Sequence, residues 1–410
     1  VKIAFLTHEP FYPPSGGGSA EAVYLVQELV RRGHRVCVYG PTVENPDQVR
    51  RDFRIDLAPF CLWRMGRYAR FRTLKYLAYP LALERHVLRA SAGDRFDLLL
   101  SQHAISSVAA GRLKRRLRVP VVMNYLDYLT GFMETWPRWK MPSTALSLLK
   151  RFELETPRRY DADGVMTVSD VLADLFAAKG YPRERLRPIY YGYDADLFRW
   201  NPAQLSPSND APVVVMHGSL DHHHLGKVAV DAVARVGVSR PETRFRFVGK
   251  ETDALRSFRD RLRVAAPRAV VECTGFVPYA QVAEHLARAS VGMVPYEESA
   301  GTHCAFVAKM VEYLGMGLPV ASTPLESVRR YFADEPLVRF SRFDGKELGE
   351  RILGWLAEPP SRRQELGPVA SERVRQALDW RVLCSRAVDF VEEVARTHAA
   401  ADRPPRTHCT

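Results

Sequence analysis

Residues 296–323, YEESAGTHCAFVAKMVEYLGMGLPVAST, read as loop, helix, cap and buried strand. The helical stretch runs from about Ala305 to Met316. Gly317 fits the left-handed position that ends a helix, and Pro319 bars its continuation. Val320 and Ala321 then begin an apolar strand. Lys309 and Glu312 stand three apart, so they share a face near the N-terminal half of the helix. The small residues Ser299, Ala300, Gly301 and Thr302 let a ligand come close to the backbone just before it. Amides at a helix start, a nearby cation and a carboxylate for paired hydroxyls suit a pyrophosphate and a ribose. A surface helix carrying an i,i+3 ion pair accounts for Lys309 and Glu312 equally well.

Outward from this stretch, apolar runs alternate with helical patterns, the mark of an α/β fold with parallel sheets. VKIAFLT opens the chain as a strand. AEAVYLVQELVRRGH follows as a helix with Ala22, Leu25, Val26, Leu29 and Val30 on one face. RVCVYGP, FDLLLSQ, VPVVMNY and GVMTVSD are further strands. Residues 200–212, WNPAQLSPSNDAP, break the composition with proline, serine and asparagine and read as a linker. VVVMHGSL then restarts the pattern, followed by TRFRFVGK, AVVECTGF and SVGMVPY. Two Rossmann-like domains facing across a cleft follow, with ligands expected outside the carboxyl ends of the strands. The expected division is an N-terminal domain over 1–200, a linker over 201–212 and a C-terminal domain over 213–380. A helix over 381–398 is expected to pack back on the first domain, ahead of a disordered tail over 399–410.

A chain of 410 residues suits two domains of about 200 residues each. The hydrophobic share of 46% is ordinary for a globular protein. No run of about 18 apolar residues exists, and no secretory signal or transit peptide opens the chain. Six cysteines are scattered without metal-site spacing, which makes a reducing cytoplasm the simplest setting. The formal charge of +12 favours an anionic partner, although arginine-rich codon usage produces the same excess. No recognition motif for nucleic acid accompanies it. Residues 61–79, CLWRMGRYARFRTLKYLAY, set Arg64, Arg67, Arg72 and Lys75 on one broad helical arc. That arc suits lipid headgroups at the inner face of a membrane or an anionic acceptor, and a plain solvated helix as well.

The residues for chemistry fall at strand ends. His8, Glu9 and Gly16 to Gly18 occupy the loop between the first strand and first helix, where glycine amides suit a phosphate. The run is not the G-x-G-x-x-G fingerprint. His217, Gly218 and Ser219 occupy the corresponding loop of the second half, with His222, His223, His224 and Lys227 beyond. Three adjacent histidines cannot all face one ion from a regular helix, so no metal is expected there. Lys227 suits a phosphate. Lys250, at the end of another strand, suits phosphate or solvent. Asp127, after VPVVMNY, suits a base toward an acceptor hydroxyl, a sugar-hydroxyl acceptor or a turn cap. His103, after FDLLLSQ, is a similar candidate.

On these residues the chain resembles a GT-B glycosyltransferase, most similar to the family 4 group of nucleotide-sugar-dependent enzymes. Four segments carry the likeness: EPFYPPSGGGSAEAVYLVQELVRRGH, ADGVMTVSDVLADLFAAKG with YYGYDADLF, CTGFVPYAQVAEHLARASVGMVPY and KMVEYLGMGLPVAST. The resemblance implies that Glu312 holds the ribose hydroxyls and that Gly17 and Gly18 meet the donor phosphate. It implies that Phe276 and Val277 bracket the base, and that Asp127 faces the sugar. The expected donor is a nucleotide diphosphate-sugar, UDP favoured over GDP, with no permanently bound cofactor and no metal. The expected acceptor is a hydroxyl on a saccharide, a lipid-linked saccharide or a natural product. The chain departs from the family pattern in four places, one of them YYGYD in place of the common asparagine-glycine turn. Cys304 stands where the first of two glutamates is usual, Ser219 where an arginine is usual, and His224 or Lys227 where its lysine partner is usual. Retention of configuration is the favoured expectation. Some GT-B enzymes with a similar Lys-x-x-Glu helix invert, with an N-terminal aspartate as base, a role that would fall on Asp127. A sugar-nucleotide epimerase shares the architecture.

Overall fold

The computed structural model describes residues 1–13, 17–60, 72–91, 94–136, 141–202 and 211–401. Gly16, most of the expected linker (203–210), the tail beyond 401 and residues 61–71 of the basic–aromatic stretch lie outside them, as do the side chains of 72–76. Among the described residues no helix is long and apolar enough to cross a membrane.

Two sheets form, and every pairing in them is parallel. The first takes β1 (Lys2–Leu6), β2 (Arg35–Gly40), β3 (Asp56–Pro59), β4 (Leu98–Gln102), β5 (Val121–Tyr125), β6 (Gly164–Thr167) and β7 (Leu186–Pro188) in the order β3-β2-β1-β4-β5-β6-β7. The second takes β8 (Val213–His217), β9 (Arg244–Val248), β10 (Val270–Cys273), β11 (Val291–Val294), β12 (Val320–Ser322) and β13 (Val338–Phe340) in the order β10-β9-β8-β11-β12-β13. The central strands β4, β5 and β8 are buried along their whole length. That is why LLLSQ, VVMNY and VVVMH read as nearly unbroken apolar runs: helices cover both faces of such a sheet. Each sheet is doubly wound. Its strand order reverses once, between β1 and β4 in the first and between β8 and β11 in the second.

The chain divides into two compact units, and neither is one continuous segment. The first unit comprises Val1–Asp127, Leu149–Ile189 and Leu383–Thr410; the second comprises Tyr128–Leu148 and Tyr190–Val382. In the first unit the middle of the helix Trp380–Ala401 is fastened by Arg32 and His34. Arg32 Nη1 donates to Asp389 Oδ1 at 2.6 Å, and His34 Nε2 lies 2.9 Å from Glu392 Oε1. In the second unit the segment Tyr128–Leu148 lies against the short helix Ala300–Cys304. Glu134 Oε2 accepts from Ala300 N at 2.7 Å, and a Cβ on Gly301 would sit 2.2 Å from Phe132 N.

The helix expected from Ala305 begins at Ala308 and ends at Gly315. Residues 300–304, expected as loop, form a separate short helix. The reason is a capping box. Ser299 Oγ accepts from Thr302 N and Thr302 Oγ1 accepts from Ser299 N, which starts a helix at Ala300, five residues before the expected Ala305. Ala305 and Val307 are then extended, so the chain starts a second helix at Ala308. The apolar period alone does not register that break. Gly317 adopts the expected left-handed backbone, at φ 58°.

Candidate functional site

In a doubly wound sheet the carboxyl ends flanking the order reversal leave a crevice. In the second unit that crevice collects β8 ending at His217, β11 leading to Tyr296, and the helix Ala308–Gly315. Lys309 is buried at 8% exposure. Its Nζ donates to the Tyr296 hydroxyl at 3.3 Å and lies 5.6 Å from that ring's centroid. Gly218 follows β8 at φ 91°, and a Cβ there would stand 3.4 Å from Lys309 Nζ. Glycine therefore serves twice, for the left-handed backbone and for room beside the ammonium. Its N–H donates to Val248 O at 2.9 Å and is already engaged. Ser219, the next residue, is half-buried.

One turn along the helix, Glu312 is buried with both carboxylate oxygens bonded. His217 Nε2 lies 2.5 Å from Oε2, and the Tyr279 hydroxyl donates to Oε1 at 3.0 Å. Tyr313 supports His217 from behind. Its hydroxyl lies 3.2 Å from His217 Nδ1 and donates to Val215 O at 3.3 Å. Burial, reinforced by the Glu312 charge, pushes the Tyr313 phenol well above its ordinary range, so it keeps that proton. Tyr279 opens the helix Tyr279–Ala287, directly after Phe276 and Val277. Phe276 is 65% exposed and Val277 half-buried, on a loop tied back by a bridge between Gly249 and Gly275. The structure thus brings Gly218, Lys309, Glu312 and the 276–279 loop to one sheet edge.

Lys227 is not brought to this cluster. It is the first residue of the helix Lys227–Ser239, exposed, and its ammonium pairs with Asp231 one turn on. His224 is the residue that comes near. It packs its ring 4.4 Å from that of Tyr296, and its Nδ1 accepts from Asp221 N at 3.2 Å. Burial, then His223 and Lys309, pull its pKa well below the ordinary histidine value, so it stays neutral. Among the described residues no group of three or more His, Cys, Asp and Glu is placed to hold a metal ion.

In the first unit Thr7, His8 and Glu9 leave β1, and His103 leaves β4, at the other order reversal. His103 stands at φ 65°, a left-handed conformation that is costly for a residue with a Cβ. Its ring meets that of His8 edge-on at 5.0 Å, and its Nε2 lies 3.8 Å from Glu9 Oε2. Gly17 and Gly18 open the helix Gly17–Arg31, which places Glu21 at the strand ends. Glu21 is buried and accepts from Gln102 Nε2 at 2.7 Å and from Asn124 Nδ2 at 2.8 Å. Burial outweighs these bonds and raises its pKa to about 7. Gln102 and Asn124 are paired across β4 and β5. His103 follows that rung by one residue and half-buried Asp127 by three.

Sequence reasoning placed His217 on this loop without a task, and it missed Tyr279, Tyr296, Tyr313, Glu21 and the buried state of His224. The only available signal was a polar residue ending an apolar strand, as in VVVMH. Tyrosines 279, 296 and 313 are indistinguishable from core or surface aromatics until the sheet brings them together.

Residues 16–192 match the family model described as glycosyl transferase 4-like domain, and residues 211–358 match glycosyl transferases group 1. A comparison with curated proteins gives no match. Among solved structures, HepE from Anabaena in complex with UDP is similar, with a TM-score of 0.71 and 17% identity over 96% of this chain and 100% of that one. Sucrose-phosphate synthase from Thermosynechococcus elongatus gives a TM-score of 0.77 at 15% identity over 97% and 99% of the two chains. WaaG, a glycosyltransferase involved in lipopolysaccharide biosynthesis, gives 0.63 at 17% identity over 95% and 99%. With the two family models together covering residues 16–192 and 211–358, this chain belongs to the family 4-like GT-B glycosyltransferases.

Proposed function

We propose that this glycosyltransferase moves a sugar from a nucleotide diphosphate-sugar to a hydroxyl acceptor, with the donor held by residues 213–380 and the acceptor by residues 1–200. The observation that carries the donor reading is one helix face presenting buried Lys309 and Glu312 together at the order reversal of the second sheet. Glu312 accepts from the ribose hydroxyls. The Lys309 ammonium stabilises the departing diphosphate, where negative charge develops. Gly17 and Gly18, whose amides lie in the first turn of the helix Gly17–Arg31, add to that stabilisation. Phe276 and Val277 flank the base. The complex of HepE with UDP supports UDP as the nucleotide. The transfer needs no metal, so turnover should survive a chelator.

Thermal unfolding with UDP, GDP and ADP tests the donor site. The bound nucleotide raises the melting point, because only the native state holds it. Glu312→Ala and Lys309→Ala should each shrink that rise. Rises of full size in both variants would remove these residues from the donor site. Acceptor-free nuclear magnetic resonance of the matching nucleotide-sugar separates transfer from epimerisation, since an epimerase converts the donor alone.

Retention is the proposed outcome, by analogy with the family 4-like group. Inversion is the second reading, favoured by the place of Asp127 just past the end of β5. Asp127→Asn discriminates between them. Loss of nearly all turnover with an inverted anomeric product supports a base, whereas a mild loss with a retained product supports hydroxyl positioning.

A further inference from the structure

We infer that His217 and Tyr279 set the sugar selectivity of the donor site, by holding the Glu312 carboxylate so that one acceptor position on each oxygen faces a vicinal diol. This rests on the reading of Glu312 as the ribose acceptor and goes beyond it. An ionised carboxylate has about four acceptor positions. His217 takes one on Oε2, at 2.5 Å, and Tyr279 takes one on Oε1, at 3.0 Å. One position on each oxygen remains, and the two hydroxyls of a ribose supply one proton to each.

The carboxylate plane is set from both sides. Glu312 and His217 are 5% and 4% exposed, so water is a poor substitute for either bond. His217 is itself fixed. The Tyr313 hydroxyl lies 3.2 Å from its Nδ1 and 3.3 Å from Val215 O, so it holds the ring on the side away from Glu312. A continuous path therefore runs from the β8 backbone through Tyr313 and His217 to Glu312, and Tyr279 closes it from the loop beside Phe276. His217 and Tyr279 are positioning residues. Their loss frees the carboxylate to rotate and removes the penalty for a sugar that brings one hydroxyl. A 2′-deoxyribose leaves one buried acceptor unsatisfied, and sites built around a substrate hydroxyl discriminate strongly against analogues lacking it.

Calorimetric titration of UDP, GDP, ADP and their 2′-deoxy forms tests this on the full chain. The wild-type protein should prefer the ribose form of its best nucleotide by at least about tenfold. Tyr279→Phe and His217→Ala should each cut that ratio severalfold while leaving affinity for the 2′-deoxy form unchanged. A residue that only supports folding would weaken both forms alike. His217→Gln keeps an N–H donor toward Glu312 and should restore most of the ratio. Wild-type ratios in Tyr279→Phe and His217→Ala would overturn the inference and leave the ribose reading intact. No ribose preference in the wild-type protein, or an undiminished one in Glu312→Ala, would overturn both. Should His217→Ala lose its native circular dichroism, Tyr279→Phe decides alone, because its half-buried ring keeps its packing.

Discussion

Lys309 is the one cation that the described residues place among Gly218, His224 and Tyr296, and His224 stays neutral beside it. Lys309→Met should therefore weaken a nucleoside diphosphate by about ten- to a hundredfold, as for a lost charge-assisted hydrogen bond, and barely affect the free nucleoside. Competition binding with the two ligands measures the difference. Glu21 makes a separate prediction. Its folded value of about 7 lies above the ordinary 4.5, so its contribution to stability is full below pH 4.5 and is lost as pH rises through 7. The stability advantage of the wild-type protein over Glu21→Gln should grow as pH falls from 8 to 5, by on the order of 2 kcal/mol. Urea midpoints across that range check the sign. Glu312 and Lys309 were legible because three-residue spacing puts two charges on one helix face. His217 was not, since its partner lies 95 positions away along the chain. The place of Lys227 was equally hidden, because the loop between β8 and its helix has no period to count.

Among elements, the helix Ala308–Gly315 has the most exacting boundaries. Its C-terminal side is closed by Gly317 at φ 58°, where a Cβ would lie 2.4 Å from the Trp200 ring. Arg363 adds a guanidinium donating to Gly317 O at 3.0 Å and Ala289 O at 2.8 Å. Gly317→Ala combines a strained backbone with that overlap and should cost about 2–4 kcal/mol. Arg363→Met removes donors from carbonyls at the helix end and should cost about 1–3 kcal/mol. Chemical denaturation reads both, and a loss of nucleotide affinity in Gly317→Ala would show that the cap also fixes Lys309 and Glu312. The strands were visible in the sequence because both faces of each sheet are covered, leaving apolar runs bounded by glycine and proline. The break between Cys304 and Ala308 was not, because apolar residues continue through it and a capping box weighs more than the period.

For the whole molecule, alternation of strands and helices sufficed to give two parallel sheets, since right-handed crossovers leave few other arrangements. Unit membership depends on where distant segments come to rest. The last stretch from Leu383, expected to pack back on the first domain, groups with the first unit, whereas Tyr128–Leu148 groups with the second. Deleting residues 383–410 removes Asp389 and Glu392 from Arg32 and His34, and removes Phe390 from the face of β6 at Gly164. Limited proteolysis of that truncation should show new cleavage within residues 1–189, with residues 213–358 still protected. Equal protection of both regions would mean that the final helix contributes little to the first sheet.

The backbone of His103 carries a consequence for engineering. A side chain at φ 65° costs on the order of 1 kcal/mol that glycine would avoid. His103→Gly should therefore unfold later on heating than a comparison of lost ring contacts with His8 alone would suggest, while any catalysis by the imidazole disappears. Selection for heat resistance would drift toward that exchange, and selection for turnover would drift away from it. A library screened both ways at this one codon would reveal which pressure shaped it.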